Sequence, residues 1–383
     1  MNFRTPLRAA SASVLMLGLG FAVVGTAGAS SSRDFGSFGQ RTALFAETDA
    51  SAGNSVLSYR QASDGTVSFA GSYATGGLGA TSAGATADPL ASQDGLVLAN
   101  HGSNLIATNP GSNSVTVFSV EGTHLRVEQQ LPSGGLFPDS IATSGNLVSV
   151  LNAGGAGSVA EFQWFFGRLV PLAGQVRSLG LSNLTPPEFH HGPGELGYTP
   201  NGQHLVVTTK LSTNAYEVFS VGANGALGAS PVVTAAVNAL PFSFVFDAAG
   251  NVVATEASDS SLTTYRVNAD GSLTSLGTVP DGGAALCWIS GANGFFYGSN
   301  AGSGTVSSFT ENSSGAPVLV NATAATAHGG TTDSVISPDG KFFYVESGGA
   351  GTIDAYAIGA SGSLTQIETI FNFPPASEGL AIS

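Results

Sequence analysis

Ser334-Val-Ile-Ser-Pro-Asp-Gly-Lys-Phe-Phe-Tyr-Val-Glu-Ser-Gly-Gly-Ala-Gly-Thr-Ile-Asp-Ala-Tyr-Ala-Ile358 decides the architecture of this chain. It holds a short apolar run, a Ser-Pro-Asp-Gly turn, a second run at Lys341–Ser347 and a small glycine loop. In the third run, Ile353, Ala355 and Ala357 alternate with Asp354, Tyr356 and Ile358. Alternation of period two between turns rich in Gly and Pro is the mark of short antiparallel strands. A second glycine turn leads into a fourth strand from Gly362-Ser-Leu-Thr. One unit is therefore a four-stranded sheet.

The unit recurs up the chain. The first copy begins at Thr42-Ala-Leu-Phe-Ala-Glu47 and lacks an innermost strand. The second is read from Asp88, with Asn100 closing its second strand, and the third from Pro138-Asp-Ser-Ile. Further copies start at Glu195, Pro241 and Ala285, and the stretch quoted above is the last. A period of roughly 45–50 residues with four strands each is that of propeller blades. The chain ends on Glu378-Gly-Leu-Ala-Ile-Ser383, one innermost strand and no more. Placed in the first copy, it closes the ring and removes a free sheet edge. The sequence thus predicts an all-β, seven-bladed propeller over residues 41–383.

Composition agrees. Of 383 residues, 53 are Gly and 17 Pro, and only 9% are charged, which suits many turns and no long helices. A formal net charge of −14 disfavours nucleic acid and anionic lipid as partners. A single cysteine, Cys287, leaves no internal disulfide. Residues 1–29 read as a signal peptide: Arg4 and Arg8, an apolar run from Ala12 to Val24, and Ala27-Gly28-Ala29 before a cut near Ser30. A linker at 30–40 follows, and nothing later is long enough to span a membrane. The expected product is secreted or periplasmic and monomeric.

The strand Lys341-Phe-Phe-Tyr-Val-Glu-Ser347, the turn before it and the Gly351-Thr-Ile-Asp-Ala-Tyr356 strand after it resemble the lactonase-type seven-bladed propellers with YVTN-type repeats. That group includes the 6-phosphogluconolactonase-like and 3-carboxymuconate-cyclase-like proteins. The resemblance implies lactone chemistry on small molecules without an obligatory cofactor. It also implies a Gly-Pro-Arg-His at the head of a mid-chain blade and an Asn-Glu after that blade's second strand. Here those places hold Gly192-Pro-Gly-Glu195 and Thr209-Lys210. The fold carries over, and the family's catalytic residues do not.

Blade topology then brings residues together. Loops before the first strand and after the second share one rim of the central channel, and channel mouths are the usual ligand site. Alignment on turn glycines places Asp88, Asp139, Glu195, Ser243, Cys287, Asp333 and Gly379 at one equivalent position. Four are carboxylates, and Asp88, Asp139, Glu195 and Asp333 would suit a hard cation such as Ca²⁺. Ends of second strands add Glu47, Asn100, Asn152, Glu256, Asn300 and Glu346, while His101, His190, His191, His328 and Lys210 fall in loops of the same rim. The bland reading is a solvated acidic mouth whose Asn and Asp side chains hold turns. The functional reading makes His101, His190 or His191, with Glu195 and Glu256, the water-activating groups, and Lys210 the stabiliser of an oxyanion. Cys287 and Trp288 read as packing. Two functions follow from these expectations: a secreted lactonase-like hydrolase acting at the channel mouth, or a non-catalytic propeller that binds a ligand or a protein.

Overall fold

The computed structural model describes residues 42–383, so the leader and linker expectations lie outside the described residues. Those residues form seven four-stranded antiparallel sheets arranged as the blades of a propeller. Blade one takes Ala43–Glu47, Ser55–Gln61 and Val67–Ala74 from its start, and Leu380–Ile382 from the far end of the chain. Phe45 stands opposite Ala381, and Ala43 and Ser383 exchange bonds of 3.0 Å, so the ring closes as the repeat demands.

Burial follows strand position. The second strand of blade one is buried at every residue, whereas outer strands such as Leu273–Pro280 are mostly exposed or half-buried. The apolar faces of successive blades meet in seven clusters, one at each junction. Phe45 with Leu96 and Leu105 joins blades one and two, and Tyr344 with Leu44 and Tyr59 joins blades seven and one. The core is therefore a continuous ring around the channel, and no disulfide is needed to hold it. Burying one such Phe contributes about 1.5–3 kcal/mol.

One blade departs from the predicted boundaries. The innermost strand of blade two is Leu96–Ala99 and its second strand is Asn104–Asn109. Thr108 N donates to Gly95 O at 3.1 Å, the same bond that Thr208 N makes to Glu195 O at 3.0 Å. Asp94-Gly95, not Asp88, therefore occupies the equivalent ring position. The error has a physical source. Ser-Gln-Asp-Gly imitates the Pro-Asp-Gly turn, while the true turn, Asn100-His101-Gly102-Ser103, sets Asn100 and His101 at left-handed φ of 50° and 56°. Asn and His are among the few non-glycine types that tolerate this.

Two connections between blades are long: residues 75–95, before blade two, and 179–195, before blade four. They pack on each other, with Ala83 N donating to Pro187 O at 2.8 Å and Phe189 N to Ala83 O at 3.0 Å. Among the described residues, no helix is long and apolar enough to cross a membrane.

Candidate active site

The first long connection does not stay at the rim. Its segment Asp88–Asp94 enters the mouth and crosses it. Asp88 starts the crossing by accepting from Leu90 N at 3.1 Å and Ala91 N at 2.6 Å, a turn that short acidic side chains favour after Asp-Pro. Ala91 and Asp94 both sit at left-handed φ, 62° and 65°. The segment then ties to several blades. Ser92 Oγ donates to Asp139 O in blade three at 2.7 Å, and Gln93 N to Gly194 O ahead of blade four at 3.0 Å. Trp288 Nε1 in blade six donates to Ser92 O at 2.7 Å, and the Gln93 side chain pairs with the Ile289 backbone in both directions. Glu378, ahead of the closing strand, accepts from Leu90 N and Ser92 Oγ. The mouth is plugged by the chain itself.

Lys210 follows the second strand of blade four and lies beneath this plug, fully buried. Its ammonium donates to Ala91 O at 2.5 Å and Phe189 O at 2.9 Å, and stands over the rings of Phe189 and Phe242. Burial lowers its pKa, against the opposing pull of Asp139, Asp88 and Glu378. Lys210 therefore joins the two long connections, and it does not face a substrate-sized opening.

The acids around it are equally enclosed. Glu47, Asp49, Asp88, Asp139, Asp333, Glu346 and Glu378 are all buried, and burial holds each above the usual carboxylate range. Asp88 Oδ1 and Glu378 Oε2 both accept from Leu90 N at 3.1 Å. The predicted cation ring is dispersed. Asp88 is committed to the plug, Glu195 accepts from Phe244 N at 2.7 Å, and Asp333 accepts from Leu380 N and Ser334 N. Among the described residues, no three His, Cys, Asp or Glu side chains are placed to hold one metal ion.

The histidines do not converge on this centre. His101 stands in the turn between the first and second strands of blade two, on the face opposite the plug, where it shares a groove with Ser337, Pro338 and Asp339. The error in blade two carried it to the wrong rim. His190 and His191 are half exposed on the outer side of the plug and pair with Glu188. His328 Nδ1 meets the buried Asp354 at 2.9 Å, at the junction of blades six and seven. Glu256 is buried and accepts from Tyr265 OH at 2.5 Å, Thr263 Oγ1 at 2.9 Å and Asn238 N at 3.0 Å, so it braces blade five.

Behind the plug, the innermost strands enclose a cavity of about 520 Å³. All seven blades line it. Gln93, Asp94 and Glu195 stand at the plugged end, and exposed Thr143 and Gly291 mark the other. Aliphatic flanks of Val97, Val245 and Val335 face it between strand edges. Among the described residues, no Lys, Arg or His lines it. Asp94 makes no side-chain hydrogen bond with the described residues, and burial pushes it up to about 7. Glu195 is 3% exposed, with one oxygen held by Phe244 N and the other free of hydrogen bonds from the described residues. Burial first, then Asp94 and Asp333, keep it well above the usual carboxylate range. A carboxylate poised near neutral pH can take a proton from water.

Of the predicted residues, only Glu195 faces this cavity. Asp94 is absent from the predicted set because Ser92-Gln-Asp-Gly95 carries the signature of a hairpin turn. The length of 75–95 was the available signal, since a long structureless connection in a compact domain usually has a task.

The resemblance to lactonase-type propellers stands. The family described as "Lactonase, 7-bladed beta-propeller" matches residues 252–376, which span blades five to seven. No curated protein matches the sequence significantly. Among solved structures, a Lactobacillus plantarum protein is 18% identical with a TM-score of 0.71, covering 90% of this chain and 99% of its own. The periplasmic gluconolactonase of Pseudomonas aeruginosa is 19% identical with a TM-score of 0.69, covering 89% and 98%. A Bacteroides fragilis protein provisionally named a 6-phosphogluconolactonase is 18% identical, with a TM-score of 0.68 over 91% and 99%. At these identities the likeness is one of fold.

Proposed function

We propose that this chain is an exported, lactonase-like hydrolase that opens a small ring ester in the central cavity, with Asp94 as its base. The observation that carries the reading is Asp94 itself. It is a carboxylate with no hydrogen-bond partner among the described residues, fixed in a left-handed conformation at the closed end of a ligand-sized cavity. Asp94 takes a proton from water as the water oxygen attacks the lactone carbonyl. When the tetrahedral centre collapses, the ring C–O bond breaks and Asp94 returns that proton to the leaving oxygen. The product is a hydroxy acid, and the carboxyl ends as it began. The matching family and the gluconolactonase of like fold support ring esters as the substrate class.

The test is hydrolysis of a panel of γ- and δ-lactones by mature protein and by Asp94→Asn. Loss of about a hundredfold or more in kcat/KM supports the assignment. Retention of turnover by Asp94→Asn removes Asp94 from the chemistry. The binding-module reading draws on one observation, the sealed mouth, and gains if no lactone is turned over while ligands still raise the melting temperature.

A further inference from the structure

The cavity's charge is one-sided. Asp94 and Glu195 line its closed end, and beyond burial both Asp94 and Asp333 disfavour the ionisation of Glu195. Among the described residues, no lining side chain carries positive charge. Lys210, a basic side chain of this end of the molecule, is spent on the carbonyls of Ala91 and Phe189. Glu195, 3% exposed, has one oxygen fixed by Phe244 N and leaves the other without a donor among the described residues. A buried carboxyl with an empty acceptor site and acidic neighbours is a poor place for an anion and a good one for a cationic donor.

We infer that the ring ester taken by this cavity bears an ammonium group, bound by the free oxygen of Glu195 while Asp94 faces the lactone carbonyl. The inference rests on the hydrolase reading for the ester, and on geometry alone for the ammonium. It names Glu195 as the residue that sets substrate charge. The acidic sugar lactones and lactones bearing carboxylates are thereby disfavoured, because Asp94 and Glu195 would face another anion without a cationic side chain of the described residues between them. Burial raises the Glu195 carboxyl, so an ammonium that pairs with its ionised form is expected to bind with release of a proton.

The experiment uses lactams, which fit as lactones do and resist hydrolysis. Titration calorimetry of the mature protein with a γ-butyrolactam bearing an aminomethyl, an ethyl or a carboxymethyl group is run in two buffers of different ionisation enthalpy. The aminomethyl lactam is expected to bind about tenfold or more tighter than the ethyl one. Its heat should depend on the buffer in the sense of proton release, and the carboxymethyl lactam should not bind. In Glu195→Gln, whose fold is checked by circular dichroism, both the preference and the proton release should vanish. The charge inference is overturned by equal affinities, by no binding of the aminomethyl lactam, or by an unchanged preference in Glu195→Gln. Tight binding with proton release but no turnover of the matching aminomethyl lactone overturns the hydrolase reading and keeps the ammonium site.

Discussion

Asp94 and Lys210 show how one environment sets two opposite tasks. Both lie at the plug, yet Lys210 donates to two carbonyls while Asp94 has no donor among the described residues. If Asp94 is the base, kcat/KM rises with pH and levels off above about 7, because only the ionised carboxylate accepts the proton. A pH profile flat between 5 and 8 would count against it. Lys210→Met leaves Ala91 O and Phe189 O without their charged donor. Losing two such bonds is expected to cost about 2–4 kcal/mol, read as a lower urea midpoint with an unchanged slope. A variant as stable as the parent would mean that the ammonium contributes nothing net in its buried place.

At the scale of elements, the plug is the part least like a propeller blade. It has no strand of its own and is held by side chains, above all the two-way pairing of Gln93 with Ile289. Gln93→Ala frees one buried N–H and one C=O, a loss of about 1–3 kcal/mol. Hydrogen exchange across 82–95 should then speed up about tenfold or more, while the strands of blade four keep their protection. Uniform protection would show that the other ties suffice. The strands were legible in the sequence because turn glycines and alternation impose them locally, and Asp333, Glu195 and Gly379 fell at equivalent positions for that reason. The plug was not. Its bonds join residues such as Ser92 and Trp288, far apart in sequence and brought together only by ring closure. The same gap explains His101. A turn with two left-handed residues carries a weaker signature than Asp94-Gly95, so the hairpin was placed one strand too early.

For the whole molecule, the enclosed acids fix how stability responds to pH. Glu47, Asp49, Asp88, Asp139, Glu195, Asp333, Glu346 and Glu378 all have folded pKa values above their unfolded ones, chiefly through burial. A raised carboxyl binds more protons folded than unfolded. Its stabilisation is therefore complete below the unfolded value near 4 and is lost as pH climbs through the folded value. The melting temperature should be highest in mild acid and fall steadily from about pH 5 to pH 9. A curve that rises towards pH 8 would show that these groups are ionised and compensated. Ring closure adds a consequence of another kind. Blade one is assembled from residues 43–74 and 380–382, so its second strand has an open edge until almost all the intervening chain has been made. A chain emerging from its N-terminal side can form blades two to seven in turn, yet the circle waits on Leu380–Ile382. Ring closure is thus timed by Leu380–Ile382, and a chain stalled short of Leu380 would present one edge of Ala43–Glu47, with Leu44 and Phe45 in it, unpaired to any strand nearby.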